Sequence, residues 1–447
     1  MKKKEILKML LLFAIFFMIS FCYGVFFLPL NGDEIWNYGF SANIAKGMMI
    51  YRDFNVMVTP FYFFISSIFI RIFGNYLISM HILDCILIGF FMVLFDKRMG
   101  LYKTLLLFPI VVIYFFPSYN YFCLFLLFVI LYLLENKEIS DVIIALLCGL
   151  IFITKQSIGL LMVVPVLFYS KNKIKSIAAY FLPFFLVSFY LWVNDAFFDF
   201  MNYCFLGMFD FRKSNLEISI FFWLEIFLCL YLIVQMVRGK FRDKKYLFIL
   251  MFQVNAYPIF DMNHFVVCLV PVIYCVVREF NFMRLRAYYR FLLLGCVWSI
   301  FLIYILKLIF SLDYNVSLER DKFWYLRNNS GNDISLEKES EIVEKYYSKY
   351  DYSFIIGSGS YAIKLYSGIP IGQYDLLADG NLGYHGEERI IGEIDSLCGS
   401  HSCGFFVEKQ EFKKYSQFSK EIYDYVLSHY KKMGGNEIIF IYDNQNT

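Results

Sequence analysis

Val58-Thr59-Pro60-Phe61-Tyr62-Phe63-Phe64-Ile65-Ser66-Ser67-Ile68-Phe69-Ile70-Arg71-Ile72-Phe73 is the stretch on which the reading of this chain turns. It is apolar enough to enter a bilayer. As a helix it would be about 24 Å long, short of the roughly 30 Å hydrocarbon core. Two readings stand. As a span, it sends every later loop to the opposite side of the membrane. As a helix lying in the interface, it leaves them where they were. The sequence around it decides.

The 447 residues are 60% hydrophobic, 21% aromatic and 18% charged, with a mean hydropathy of +0.58. A soluble chain carrying 54 Phe would expose large apolar patches and aggregate. Here the apolar residues come in long runs, as bilayer spans require. The first, Ile6 to Leu28, follows Lys2-Lys3-Lys4. It is too long for a signal core and no small-residue cleavage site follows, so it reads as a retained span. Further runs lie near 75–95, 101–117, 119–134, 139–154, 156–170, 174–194, 216–237, 244–258, 262–278 and 289–311, giving about eleven spans.

Basic residues arbitrate the ambiguous run. With 58–73 in the interface, the short inner segments hold eighteen Lys and Arg, including Lys97-Arg98, Lys171, Lys173, Lys175 and the Arg238–Lys245 loop. The outer segments hold six: Lys46, Arg52, Arg71, Lys155, Arg212 and Lys213. The interfacial reading follows. It predicts a multi-pass plasma-membrane protein with a cytoplasmic N-terminus, an outer first loop over 31–74, a membrane domain over 1–311 and an extracytoplasmic region over 312–447.

That last region is polar and mixed. Phe354-Ile355-Ile356 and Glu437-Ile438-Ile439-Phe440-Ile441 read as strands, and Ser416 to Lys432 has helical periodicity, so a small α/β domain is expected. Gly383-Tyr384-His385-Gly386-Glu387-Glu388 reads as a turn before a helix. Of eleven cysteines, nine lie in or near apolar runs and read as small buried hydrophobes. Cys398 and Cys403 alone share polar sequence, and the bridged and free readings both stand there. No zinc-ligand spacing and no nucleotide-binding glycine fingerprint occur. A net charge of +3 says little about partners, because where the basic residues lie matters more than their sum; no nucleic-acid partner is expected.

Ionisable groups near a bilayer are costly and need a reason. The expected outer boundary collects Asp33, Glu34, Arg52 and Asp53 from the first loop, Ser118-Tyr119-Asn120, Lys155-Gln156, and Asp261, Asn263 and His264. Singly, each reads equally as an interfacial anchor or loop solubiliser. Together they describe a cleft beneath the first loop.

Asn31-Gly32-Asp33-Glu34-Ile35-Trp36-Asn37-Tyr38, continuing through Gly47 and Tyr51-Arg52-Asp53-Phe54 to Thr59-Pro60-Phe61-Tyr62, resembles the first-loop signature of the GT-C-fold glycosyltransferases. These include dolichyl-phosphate-mannose protein mannosyltransferases and bacterial enzymes using polyprenyl-phosphate sugars. In that family an acidic pair opens the loop and a Pro-aromatic stretch begins a juxtamembrane helix. Thr154-Lys155-Gln156 and Tyr257-Pro258 with Asp261 and His264 also resemble pieces of bacterial members. The resemblance covers about residues 5–311. It implies an all-α polytopic membrane fold and transfer of a hexosyl or pentosyl residue from a polyprenyl-phosphate carrier to a glycan, lipid or protein acceptor, with Asp33 matching the catalytic acid. The family's Pro-Pro or His-Pro-Pro is here only Thr59-Pro60, which leaves subfamily and acceptor open.

The chemistry fits these residue types. Phosphate is a good leaving group, so such a transfer needs a base for the acceptor hydroxyl and cations for the departing phosphate. Asp33 is the candidate base, its plainer reading being an N-cap for a helix beginning near Glu34. Glu34 would orient the acceptor or a cation. Arg52 and Lys155 are candidate phosphate ligands or snorkelling cations. Asp53 would position Arg52 or substrate. Tyr119, Asn120 and Gln156 would line the substrate side, or in the case of the first two simply make a tight turn. Asp261 and His264, three apart, would touch phosphate or sugar, or start a helix. His81 and Asp84 read as a buried pair fixing one span against its neighbours, and Phe61, Tyr62 and Phe63 as interfacial belt and lipid-chain contact. Nothing demands a metal, although Asp33, Glu34 and Asp53 could assemble a site. A polysaccharide polymerase or ligase would carry its basic residues in a late outer loop. A transporter or flippase would show mid-depth polar residues and inverted repeats, whereas mid-span charges here are Asp84, Glu225 and Lys307.

Overall fold

The computed structural model describes residues 3–26, 32–113, 118–135, 139–216, 218–239, 241–280, 286–311, 336–356, 364–365, 368–375, 382–408, 419–435 and 439–444. It is a helical bundle carrying a small four-stranded sheet. Helix α1 (Lys3–Phe26) packs antiparallel on α4 (Leu77–Met99). Lys8 pairs with Asp96 at 2.6 Å at one end, the rings of Phe13 and Phe90 meet at 5.2 Å in the middle, and Gly24 abuts His81 at the other.

That packing settles the stretch at 58–73. The end of α1 and the start of α4 lie together, so what connects them stays at one end of the bundle. The connection holds α2 (Gly32–Ala45) and α3 (Phe61–Phe73). At 13 residues α3 is only about 20 Å long. Its Phe61 N–H donates to Ile153 O at 2.9 Å, and at its far end Arg71 donates to Ile44 O at 2.8 Å.

Among the described residues, six helices are long and apolar enough to cross a membrane. They are α1, α4, α9 (Lys173–Val193), α12 (Ile220–Arg238), α14 (Met262–Glu279) and α15 (Ala287–Ser311). Four more expected spans are shorter: α5 (Leu101–Val112), α6 (Tyr119–Leu134), α7 (Asp141–Phe152) and α8 (Gln156–Tyr169). The run at 244–258 is not one helix but α13 (Lys245–Phe252) followed by a 3₁₀ turn over Gln253–Ala256. Between α9 and α12 lie α10 (Phe197–Met201), a π turn (Asn202–Leu206) and α11 (Met208–Asn215).

Two expectations about burial change. Tyr62 and Phe63 are fully buried, not an interfacial belt, because α2 packs on that face: the Phe40 ring meets Phe63 at 5.5 Å. Cys296, expected among the buried thiols, is exposed on α15.

Helix α15 runs back to the α2–α3 end, where Phe301 meets Tyr23 at 5.3 Å. The described residues beyond it form α16 (Leu336–Tyr346), β1 (Tyr352–Ile356), α17 (Gly386–Cys398), β2 (Cys403–Glu408), α18 (Lys420–His429), β3 (Lys431–Gly435) and β4 (Ile439–Asp443). The strand order is β1-β2-β4-β3, with β1 and β2 parallel and the rest antiparallel. Alternation sets the two faces. Phe354, Ile356, Phe405 and Val407 pack with Ile390, Ile394, Ile422 and Val426 of α17 and α18. Ile355, Phe406 and Ile441 pack with Val343 of α16. The helix expected over 416–432 stops at His429, and Lys431 and Lys432 belong to β3. Residues 437–438 of the second expected strand lie outside the described residues. Helix α17 begins at Gly386, where the turn at 383–388 predicts it. Cys398 and Cys403 form a disulfide tying the end of α17 to the start of β2.

Candidate active site

Five chain segments bring polar groups to one end of the bundle. The first is the start of α2. It opens at Gly32 with Asp33 and Glu34 in its first turn, so Asp33 sits inside the helix rather than capping it. Acidic residues there face the positive end of the helix dipole. Asn37 donates to the Asp33 carbonyl at 2.5 Å.

Glu34 is turned into the bundle. It is 1% exposed and paired with His81 of α4. One helical turn on, Asp84 accepts a hydrogen bond from Tyr62 of α3 at 3.4 Å. Each contact fastens α4 to one helix of the first loop.

Asp33 is only partly buried by surface, and it lies within electrostatic reach of His264, Asp261 and Lys155. Burial pushes its carboxyl above the ordinary range, the charge of His264 opposes this, Asp261 adds to it and Lys155 opposes it. Asp33 is thus tuned toward accepting a proton.

Lys155 is the buried cation of the site. It occupies the turn between α7 and α8 and is 9% exposed. Its ammonium donates to Asn120 Oδ1 at 2.8 Å, Asn255 Oδ1 at 2.7 Å and Asn255 O at 3.3 Å. It also stands 5.6 Å from the centre of the Tyr119 ring. No carboxylate salt-bridges it among the described residues. Burial pushes its pKa down to about 8 despite the partly compensating fields of Cys123, Cys268, Asp33 and Asp261.

Asp261 caps α14, accepting from the His264 N–H at 2.8 Å, and its Oδ1 also meets His264 Nδ1 at 2.8 Å. Burial opposes its ionisation, but the His264 ring and N–H outweigh this and hold the carboxyl below its usual range. The pair fixes the imidazole within electrostatic reach of Asp33.

The remaining sequence-predicted residues sit differently. Arg52 and Asp53 pair with each other, at 2.8 and 3.2 Å, and Asp53 also accepts from Met49 N at 2.7 Å. Arg52 reaches Asn194 O at 3.4 Å at the end of α9, so Lys155 has Asn120 and Asn255 as partners and not Arg52. Gln156 spends its amide on the chain, donating to Met57 O at 2.7 Å and Cys204 O at 2.8 Å and accepting from Thr59 N at 3.3 Å. It holds the first loop against the π turn. Among the described residues no three of His, Cys, Asp and Glu stand close enough to hold a metal ion. Asn255 escaped the sequence reading. Its signal was an amide inside an apolar run two residues before Tyr257-Pro258, where a span has no use for one.

The first loop is also gripped from outside. Asn43 donates to Ile371 O at 2.7 Å and Gln373 to Tyr51 O at 2.7 Å, while Tyr203 of the π turn donates to Gln373 at 2.8 Å.

An apolar helical bundle with an acidic pair at the start of its first loop, a non-crossing helix completing that loop, and a small mixed sheet docked over it has the GT-C fold. Two crystal structures of ArnT from Cupriavidus metallidurans share it across nearly the whole chain. One, described as bound to undecaprenyl phosphate, has a TM-score of 0.57 at 13% identity, covering 99% of this chain and 98% of that one. The other, in the apo state, has a TM-score of 0.57 at 12% identity, covering 97% of each chain. No protein-family model and no curated protein sequence matches the chain.

Proposed function

We propose that this protein transfers a hexosyl or pentosyl residue from a polyprenyl-phosphate carrier to a glycan, lipid or protein acceptor on the outer face of the plasma membrane. The observation that carries the reading is Asp33 within electrostatic reach of a buried lysine that, among the described residues, has no carboxylate salt bridge. In this reading Asp33 takes the acceptor hydroxyl proton as the glycosidic oxygen forms its bond to the anomeric carbon. The carbon–phosphate-oxygen bond breaks, and Lys155 and His264 stabilise the departing lipid phosphate. A cation already stripped of water is suited to this, since its attraction for phosphate is little screened. The fold is that of a protein crystallised with undecaprenyl phosphate, which supports the choice of carrier. Glu34 serves by holding α2 through His81.

Two observations support the outer side. The basic turns, including Arg98, Lys175, Arg242 and Arg278, lie at the opposite end from Asp33, as the positive-inside rule expects of a cytoplasmic face. The sheet region shares the Asp33 end and carries the Cys398–Cys403 disulfide, a bond of oxidising compartments.

The test uses purified full-length protein in nanodiscs with polyprenyl-phosphate sugars, following release of the lipid phosphate. Turnover that is lost in Asp33→Asn supports the proposal. Consumption of no lipid-linked sugar by the wild type, or undiminished turnover in the variant, overturns it.

A further inference from the structure

The bundle holds a second charged concavity. The helices α6, α7, α8, α13 and α14 each bring one end to the Asp33–Lys155 site. Their other ends surround a cavity of about 900 Å³. With 16 residues in α6 and 18 in α14, the two places lie about 25 Å apart. This cavity has no part in the transfer reaction described above.

Its charges are unequal in kind. Lys244 meets Asp141 at 4.0 Å, Lys245 meets Glu279 at 2.5 Å, and Arg278 meets Glu135 at 2.6 Å. Those three are neutralised. Lys171, Lys175 and Arg242 also line the cavity, and among the described residues their side chains have no ion-pair or hydrogen-bond partner. Three uncompensated cations from two separate turns thus face one space. The nearby helix starts are not what attracts an anion: Asn172 caps α9 through Lys175 N at 3.1 Å, and Ser140 caps α7 through Val142 N at 3.3 Å. Part of the lining is apolar, formed by Leu131, Leu134 and Ile144.

Unpaired cations and aliphatic side chains lining one space match an amphiphile. We propose that this cavity binds the phosphate headgroup of an anionic phospholipid, with its acyl chains along the apolar part of the lining. A free phosphate would satisfy the cations and leave that part unused. General attraction of a basic face for anionic lipid would not depend on these three side chains. Basic pockets between helix ends at a cytoplasmic interface are suited to such headgroups.

The experiment measures thermal unfolding of the full-length protein, purified in neutral detergent and stripped of lipid, against added short-chain phosphatidylglycerol, phosphatidylcholine or inorganic phosphate. Phosphatidylglycerol is expected to raise the midpoint, while equal concentrations of the other two leave it unchanged. Each cation near an anionic headgroup is worth about fivefold in affinity, so the combined variant Lys171→Gln, Lys175→Gln, Arg242→Gln should bind phosphatidylglycerol at least about tenfold more weakly. These side chains are exposed, so its unliganded midpoint should match wild type. If it does not, the three single variants carry the test, each at about fivefold. The control pair Lys97→Gln, Lys173→Gln removes cations from the same end outside the cavity and should keep the full response. Equal stabilisation by phosphatidylcholine or inorganic phosphate overturns the proposal. So does a combined variant that responds like wild type, or a control pair that loses as much.

Discussion

Replacing Lys155 with Met separates what this residue costs the fold from what it gives the site. The ammonium is buried among two asparagines, and its pKa of about 8 against an ordinary 10.5 means that holding it charged at neutral pH costs about 3 kcal/mol. Removing it relieves that cost. It also leaves the Oδ1 atoms of Asn120 and Asn255, which accept its hydrogen bonds, without their donor, at about 1–3 kcal/mol each. The two effects nearly cancel, so the midpoint of Lys155→Met in detergent should lie within a few degrees of wild type. Binding of a polyprenyl phosphate should fall about 10–150-fold, the loss of one charge-assisted hydrogen bond of about 1.5–3 kcal/mol. The pH dependence gives a second readout. A lysine whose folded pKa lies below its unfolded one destabilises the fold below about 8 and is relieved as pH rises toward 10.5. Wild type should therefore gain stability over that window relative to Lys155→Met. Activity should fall on the alkaline side near pH 8, as the phosphate-holding charge is lost. Phosphate binding unchanged in Lys155→Met, or a variant that fails to fold, would refute the reasoning, because either would make Lys155 a structural cation.

Asp33→Asn should fold and accumulate normally while losing about 10²–10⁴-fold in turnover, and wild-type activity should fall on the acid side at a pH above the ordinary aspartate range, because the carboxyl is raised. His81→Leu should lower stability by about 1–3 kcal/mol by removing one hydrogen-bond partner of buried Glu34, and the further change Glu34→Leu should recover part of the lost melting temperature. Alkylation of the denatured, unreduced protein should modify nine of its eleven cysteines, by mass, if Cys398–Cys403 forms in the cell. Single cysteines at Lys173 and Arg242 should resist a membrane-impermeant thiol reagent in intact cells, whereas one at Ser340 should react. Labelling of the first two would invert the orientation.

What was legible in the sequence was set by charge and by helix length. Lys and Arg counts place 58–73 at one end of the bundle, and the adjacency of Gly24 and His81 requires the same, because α1 and α4 cannot meet there if a helix crosses between them. Burial within that loop was not legible. Phe61-Tyr62-Phe63 has the composition of a lipid-facing belt, and only the packing of α2 across α3 shows that Tyr62 and Phe63 are interior. The contact of Glu34 with His81 joins residues 47 apart, and nothing in local spacing reveals it; the visible pattern, His81 three residues before Asp84, shows two groups fixing α4 against its neighbours but not which neighbours they reach. Asn255 was hidden for a different reason. An apolar window averages away a single amide, although a polar group in a span is the rarer event and the better signal.

The positions of the buried charges also explain why the Asp33 end holds so many. A helix as short as α2, with 14 residues, has little intrinsic stability and must be held by its surroundings. Apolar packing alone would hold it loosely about its axis, since an aliphatic face tolerates small rotations, and a general base must be placed within a fraction of an ångström. Directional contacts remove that freedom. Glu34 with His81 fixes the first turn of α2 from the bundle side, Ser41 with Ser66 at 3.1 Å fixes its middle on α3, and Asn43 with Ile371 fixes its end from the sheet side. A Cβ on Gly39 would come within 2.2 Å of the Ile371 side chain, so the outer grip is also a close one. Each buried polar pair costs desolvation that apolar residues would avoid. Their concentration along one short helix is intelligible if what they secure is the direction in which Asp33 points.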